Sequence, residues 1–330
     1  MCSSDLNGDV ECRLCPHRCR LKEGKSGICK VRGMSQGKLA TFYYGTVATG
    51  GQADPIEKKP LHNFYPGTKV LSFGGISCNL KCEHCQNYSL SQEYDQRYLI
   101  AIDAEQIVSM ARQQGCLGVA WTYNEPLIHF ETYYDWSRSI KKEGLFTVLV
   151  TNGFISPEPF QKIAPFIDAA NIDVKAFTEE FYRKYTRSRL QPVLDTCTLA
   201  RKCHVHLELT YLIIPTLNDS SEEIERYLDW VGEHLGHDVP LHFSGFHPAY
   251  KMTRLSPTPA KKVIESVELA LEKKFHYVYA GNIYPNPFEN TRCPSCQKTV
   301  VERSGYTVKK VAVTPRRECC YCSSPLEIIC

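Results

Sequence analysis

Apolar positions along the chain recur with two different periods. Short runs rich in β-branched and aromatic residues alternate with longer segments whose apolar residues return every three or four positions. The first pattern predicts strands at 69–73, 118–123, 146–150, 171–174, 206–214 and 241–246, with a further strand at 277–280. The second predicts helices between them. One covers 103–114, with Asp103 as N-cap and Ile107, Met110 and Ala111 on one face. Others cover 129–143, stopped by Gly144, and 157–166, with proline in the first turn. Residues 178–203 read as helical with a break near Pro192, and 221–234 and 259–273 complete the series.

Strand and helix therefore alternate, with strands about 20–40 residues apart, which implies a parallel sheet. About six such units suit an α/β fold of partial (β/α)6, TIM-like barrel form. Barrels of this kind place their chemistry at the C-terminal ends of the strands, and polar residues collect there. Cys78, Cys82 and Cys85 follow the first strand, and Tyr123-Asn124-Glu125-Pro126 follows the second. Thr151-Asn152-Gly153 follows the third, Asp173-Val174-Lys175 closes the fourth, Asn218-Asp219 follows the fifth and His247 the sixth. Each has an ordinary reading beside the functional one. Glu125 is well placed to begin a helix, Asn152-Gly153 is a common turn pair, Asp173 and Lys175 share a strand face as an ion pair, and His247 suits a hydrogen-bonded loop.

Composition changes the picture at one residue type. With 43% hydrophobic and 23% charged residues, the 330-residue chain is ordinary for a globular protein. A net charge of +3 argues against nucleic acid or an anionic membrane as partner. No apolar run approaches the length of a membrane span. Met1–Asp5 lacks the features of a secretory signal, so a cytoplasmic chain with reduced thiols is expected. Yet there are seventeen cysteines, and their spacing points to metal. Cys78, Cys82 and Cys85 form C-x3-C-x2-C. Three thiolates are one short of a closed zinc site or a fully cysteine-ligated [4Fe–4S] cluster, so one metal position stays open for chemistry. A zinc knuckle completed by His84 is the structural alternative. Cys293, Cys296, Cys319 and Cys322 read as a CPxC…CxxC zinc ribbon around short strands, a closed structural site, with a rubredoxin-type iron site or no metal as the alternatives; Cys320 is a neighbour able to exchange with a ligand. Cys12, Cys15, Cys19 and Cys29 close either a second zinc site or an auxiliary iron–sulfur cluster, with His17 as a substitute ligand. Cys2, Cys116, Cys197, Cys203, Cys320 and Cys330 read as small hydrophobes or incidental thiols. Three units follow: a Cys-rich metal-binding segment at 1–40, the barrel at 41–285 and the ribbon at 286–330.

These motifs resemble the radical S-adenosylmethionine (SAM) superfamily. The likeness is carried by the cysteine trio and the Cys-Gln-Asn that ends it, with Tyr-Asn-Glu-Pro, Thr-Asn-Gly, Asp-Val-Lys-Ala-Phe at 173–177 and Asp-Pro-Ile-Glu-Lys-Lys-Pro-Leu at 54–61. Within the superfamily the chain is similar to the pyruvate formate-lyase activating enzyme group and to the radical SAM protein of the AmmeMemoRadiSam system. The resemblance implies a [4Fe–4S] cluster on Cys78, Cys82 and Cys85, with SAM on the open iron. It implies reductive cleavage of SAM to a 5′-deoxyadenosyl radical that abstracts hydrogen, with glycyl-radical activation or modification of another substrate as the outcome. It assigns the methionyl amino group to Glu125, SAM contacts to Asn152, Lys175 and His247, and an adenine contact to His84. Two glycines usual in the family are Tyr123 and Asn124 here, which puts bulk beside the methionine end. A flavodoxin- or ferredoxin-type electron donor is implied, with Memo-like or AMMECR-like proteins as partners. The alternative class is a zinc-binding scaffold or nucleic-acid-binding protein with degenerate catalytic features.

Overall fold

The computed structural model describes residues 5–6 and 9–330; Cys2 lies outside them. Its centre is one eight-stranded sheet whose strands follow one another in chain order. These are β1 (Thr49–Pro55), β2 (Lys69–Gly74), β3 (Gly118–Trp121), β4 (Phe146–Thr151), β5 (Ala169–Asp173), β6 (His206–Ile213), β7 (Leu241–Gly245) and β8 (Val278–Gly281). From β2 to β8 every neighbouring pair is parallel, and β1 lies antiparallel on the free edge of β2. β1 and β8 do not pair, so the barrel is open along one side. Six helices cross back over the sheet: α1 (Ala104–Gln113), α2 (Phe130–Lys142), α3 (Pro157–Ile163), α4 (Gln191–Lys202), α5 (Ser221–His234) and α6 (Ala260–Glu272). The six β/α units expected from the sequence are therefore present, followed by a seventh parallel strand.

Local chemistry accounts for most boundaries. Asp103 and Gln106 form a reciprocal capping box that starts α1. Gly144, at φ +77°, follows the end of α2. The break expected near Pro192 lies earlier. A short turn at Glu179–Phe181 widens through Tyr182–Thr186 and ends at Arg187 in the left-handed region. α4 then starts with Pro192 in its first turn, where the missing N–H costs no hydrogen bond. β1 escapes the periodicity argument because Thr-Gly-Gly-Gln carries no apolar alternation.

The sheet buries material on both faces. Leu149, Ile172, Leu209 and Phe243 belong to the main core, which includes residues of α2, α4, α5 and α6. Inside the barrel a second cluster forms the floor, where Ile56, Leu61 and Phe64 meet Val70, Ala120, Val148 and Ala169. The floor also holds the buried carboxylate of Glu208. It accepts hydrogen bonds from the backbone N–H groups of His62 (2.9 Å) and Asn63 (2.8 Å) and from the rings of His206 (3.0 Å) and His242 (2.6 Å). Its lone pairs are thus all used, and its ionised form is strongly favoured.

The C-terminal segment closes the open side. β9 (Thr299–Ser304) and β10 (Thr307–Val311) form a hairpin, extended by Thr291–Arg292. Val300, Val301, Leu326 and Ile328 pack on Tyr277 and Tyr279 at the last barrel strand. Ile329 hydrogen-bonds both Asn63 (2.8 Å) and Tyr65 (2.6 Å). At the other end, the hairpin Arg32–Ser35/Lys38–Thr41 and the cysteine-rich residues before it lie against α2 and the first barrel loop, through Arg32 to Glu131 (2.8 Å) and His17 to Asn79 (2.8 Å). Among the described residues, no helix is long and apolar enough to cross a membrane.

Candidate active site

The loop that leaves β2 carries Cys78, Cys82 and Cys85, and its path is dictated by side chains from the neighbouring β3 loop. Asn124 accepts from Gly75 N (3.0 Å) and donates to the carbonyls of Ile76 (3.1 Å) and Ser77 (3.0 Å). His129 donates to Ile76 O (2.8 Å). A Cβ at position 75 would come within 2.7 Å of the His129 ring, so glycine is needed there. Asn124 therefore braces the cysteine loop. Tyr123 sits at φ +74° and sends its hydroxyl to Asp54 (2.8 Å). Both residues that replace the usual glycines thus have structural partners.

The loop opens onto a pocket of about 430 Å³ at the C-terminal ends of the strands, within the size range of small-molecule sites. Its lining brings together Cys78, Cys82, His84, Cys85, Glu125, Asn152, Asp173 and Lys175. The Glu125 carboxylate is buried and accepts from Leu127 N (3.0 Å), Thr151 Oγ1 (2.7 Å) and Asn152 N (2.8 Å). It begins the short 3-10 turn Pro126–His129 and also lines the pocket. Burial, only partly offset by those donors, pushes its carboxyl up to about 7. Asn152 is turned towards the cysteines: its Nδ2 donates to Asn79 Oδ1 (3.0 Å) and lies 3.4 Å from Cys78 Sγ. Leu80 N approaches the same sulfur at 3.3 Å, and Cys85 Sγ contacts Ser91 Oγ at 3.1 Å. Lys175 pairs with Asp173 (2.9 Å). Burial opposes its charge, but Asp173 and the nearby Cys82 outweigh that, so the ammonium persists.

His84 is the unsatisfied member. It is buried beside Phe181, neither ring nitrogen has a partner, and burial lowers its imidazole to about 3, so it is neutral. A buried imidazole with two idle nitrogens in a pocket wall fits a site built for a polar ligand. His247 is different: it is exposed and is not part of the lining. The sixth strand presents Ser244 instead, and Asn282 follows the seventh. Pro248 beside it is exposed as well, and strand periodicity does not reveal where a loop carries its residues.

Several lining residues were given no role from the sequence. Lys59 is buried, bonded to Asp54 (2.7 Å), and lies 4.9 Å from the centre of the Tyr123 ring. Lys58 binds the other oxygen of Asp54 (2.9 Å). The available signal was a lysine pair four and five residues after an aspartate, without any hint of its depth. Tyr306, from the hairpin β9–β10, reaches the same pocket.

Two geometries of metal-ligating atoms are present. The sulfurs of Cys293, Cys296, Cys319 and Cys322 lie within 4.8 Å of one another, with 3.7 Å between Cys293 and Cys322 and 3.8 Å between Cys296 and Cys319. A tetrahedral zinc with Zn–S near 2.3 Å requires S···S of about 3.8 Å, so this group fits one ion. Cys320 is exposed and outside it. Cys116 and Cys197 are buried and Cys330 is exposed. The only other described set so tightly gathered is His62, Glu208 and His242, in which His242 bonds Glu208 (2.6 Å) while Nδ1 of the His62 ring is buried without a partner. No three ligand atoms elsewhere among the described residues come that close, so Cys78, Cys82 and Cys85 are not gathered as the ribbon cysteines are. That spacing, the donor set and the open pocket fit a cluster with one iron left for a ligand.

Residues 75–231 match the sequence model of the radical SAM superfamily. An uncharacterized protein of Methanocaldococcus jannaschii is 39% identical over 322 residues, covering 97% of this chain and 96% of that one. Pyruvate formate-lyase 1-activating enzyme of Escherichia coli strain K12 is 23% identical over 229 residues, 64% of this chain and 92% of that enzyme. A radical SAM methyltransferase from Sphaerobacter thermophilus shares the fold at a TM-score of 0.52 and 12% identity, over 66% of this chain and 67% of that one. Streptococcus suis SuiB bound to S-adenosylmethionine does so at 0.51 and 16%, over 70% and 56%. With the cysteine trio on the first loop of an open β/α barrel, these likenesses place the chain in the radical SAM superfamily, as an enzyme of that class.

Proposed function

We propose that the chain reductively cleaves SAM at a [4Fe–4S] cluster held by Cys78, Cys82 and Cys85, and uses the resulting 5′-deoxyadenosyl radical to take a hydrogen atom from a separate substrate. The observation that carries this reading is the meeting of three thiols, not gathered as for one ion, with a buried carboxylate in one pocket. The hard chemistry belongs to the cofactors; this chain's residues bind, orient and exclude water. Glu125 Oε2 has a single donor, Asn152 N, and retains a lone pair for the methionyl ammonium. Lys175, charged and at the pocket wall, suits the SAM carboxylate. Neutral His84 suits the adenine edge. Asn152 serves Cys78 rather than SAM directly: an N–H aimed at a ligating sulfur steadies the thiolate and tunes the centre.

The substrate is read as a protein, by analogy with the activating enzyme among the relatives, with a flavodoxin- or ferredoxin-type protein supplying the electron. A zinc ion is assigned to Cys293, Cys296, Cys319 and Cys322. We divide the chain into a cysteine-rich segment, a barrel ending near 285 and a ribbon from 286. The first boundary belongs after Thr41, because a division at 40 would cut the strand Lys38–Thr41. A cytoplasmic location belongs to the same reading.

Anaerobic reconstitution with iron and sulfide, followed by SAM and a strong reductant, is expected to yield 5′-deoxyadenosine. Replacing any of the three cysteines by alanine is expected to abolish it. A reconstituted protein that makes none, or variants that still make it, would overturn the proposal.

A further inference from the structure

We propose that Cys12, Cys15, Cys19 and Cys29 hold an iron–sulfur cluster, placed to pass single electrons to the centre held by Cys78, Cys82 and Cys85. The first argument is spacing. All four side chains line one small enclosed cavity, yet no three of the sulfurs lie within 4.8 Å of one another. The ribbon sulfurs do, as one zinc ion requires. The N-terminal quartet, like the catalytic trio, thus lacks the one-ion gathering of the ribbon, although both quartets contain four cysteines. A cluster carries one thiolate per iron and so holds its ligands further apart than a single ion does.

The second argument is the lining. Leu14, Leu21, Ile28 and Ile128 line the cavity with the thiols. Gly27 lets the chain pass Cys19: a Cβ there would meet Cys19 Sγ at 3.2 Å. His17 is not a spare ligand through Nε2, since that nitrogen donates to Asn79 O (2.8 Å).

The third argument is position. Asn79 borders the cavity and directly follows Cys78 in the chain. The path from Cys15 to Cys78 therefore runs through Pro16, His17, the His17–Asn79 hydrogen bond and Asn79. The segment is fixed to the barrel by Ser156 N to Leu14 O (3.0 Å), Arg189 to Pro16 O (3.0 Å) and Arg32 to Glu131. In the relay, a reduced flavodoxin- or ferredoxin-type donor loses one electron, the N-terminal cluster gains and then loses it, and the catalytic centre is reduced. No bond or proton is exchanged.

The relay rests on the proposed function; the identity of the metal does not. In the triple variant Cys78→Ala/Cys82→Ala/Cys85→Ala, reconstituted anaerobically, we expect about four irons and one zinc per chain, with the electronic absorption of a cluster. About two zincs and no iron would overturn the cluster. Should that variant not fold, the wild type is counted: about eight irons and one zinc support the cluster, and about four irons and two zincs overturn it. For the relay, Cys19→Ala is expected to slow reduction of the catalytic centre by reduced flavodoxin at least tenfold, followed by electron paramagnetic resonance. An unchanged rate would overturn the relay. Eight irons without SAM cleavage would instead sink the proposed function alone.

Discussion

Glu125 shows how one buried carboxylate acquires a pH-dependent role. Burial raises its carboxyl from 4.5 to about 7, against three hydrogen-bond donors and the Lys175 charge. The sign follows from linkage. The folded state holds the proton more tightly than the unfolded chain, so this group's contribution to stability is complete below about pH 4.5 and is lost as pH rises through about 7. Binding runs the other way, because only the carboxylate accepts fully from an ammonium. SAM affinity of the cluster-loaded protein is therefore expected to rise with pH through about 7. Glu125→Gln should flatten that profile and, above it, weaken SAM by about 10–100-fold, the equivalent of about 1.5–3 kcal/mol for a hydrogen bond to a charged group. Equilibrium binding at matched iron content checks this, and an unaltered affinity would remove Glu125 from the site. The residue was legible in the sequence as a glutamate after the second strand. Its partners were not: Thr151 Oγ1 and Asn152 N come from the next strand, 26 and 27 residues on, and only the parallel register brings them there.

At the scale of elements, what was legible follows from how local each cause is. The capping box of α1 lies within four residues, and the sequence placed its start correctly. The strands β2 to β8 were legible because burial demands continuous apolar runs. β1 was not, since its pairing with β2 depends on backbone and on a bulge near Gly50 and Gln52 rather than on side-chain pattern. His247 was expected at the pocket because it follows a strand, but loop direction after a strand is set by packing beyond that loop. The cysteine loop is the opposite case. The trio was plain, while Asn124, read only as a bulky replacement for glycine, is the clamp that shapes the loop. Asn124→Ala strips the Ser77 carbonyl and the Gly75 N–H of their side-chain partner and leaves Ile76 O with His129 alone. Unsatisfied buried groups cost about 1–3 kcal/mol each. The variant is expected to retain less iron after desalting and to melt several degrees lower, with zinc content unchanged. Full iron retention at wild-type stability would show that the loop holds its shape without the clamp.

Across the whole molecule, the barrel leaves one side open, and the C-terminal hairpin and the segment 56–65 close it together. Their joint is Arg303. It donates to His62 O (2.6 Å) and Thr291 Oγ1 (2.8 Å) and lies 3.6 Å from Glu57, with both charged side chains fully buried. Glu57 in turn accepts from Gly67 N (2.8 Å). A buried pair of this kind need not add net stability, because desolvation offsets the attraction; removing one partner is what costs, at about 3–5 kcal/mol. Arg303→Ala is therefore expected to lower the melting temperature markedly, whereas Arg303→Met combined with Glu57→Gln should recover much of the loss, since no buried charge is then left alone. Calorimetry of the three proteins decides it: a double variant no more stable than Arg303→Ala would mean that Arg303 acts through its carbonyl contacts and not through charge. The consequence reaches the pocket, because Tyr306 stands three residues beyond Arg303 on the same hairpin and lines the site. Loosening this joint should raise protease sensitivity near Tyr306 and weaken SAM binding even though every cysteine is in place.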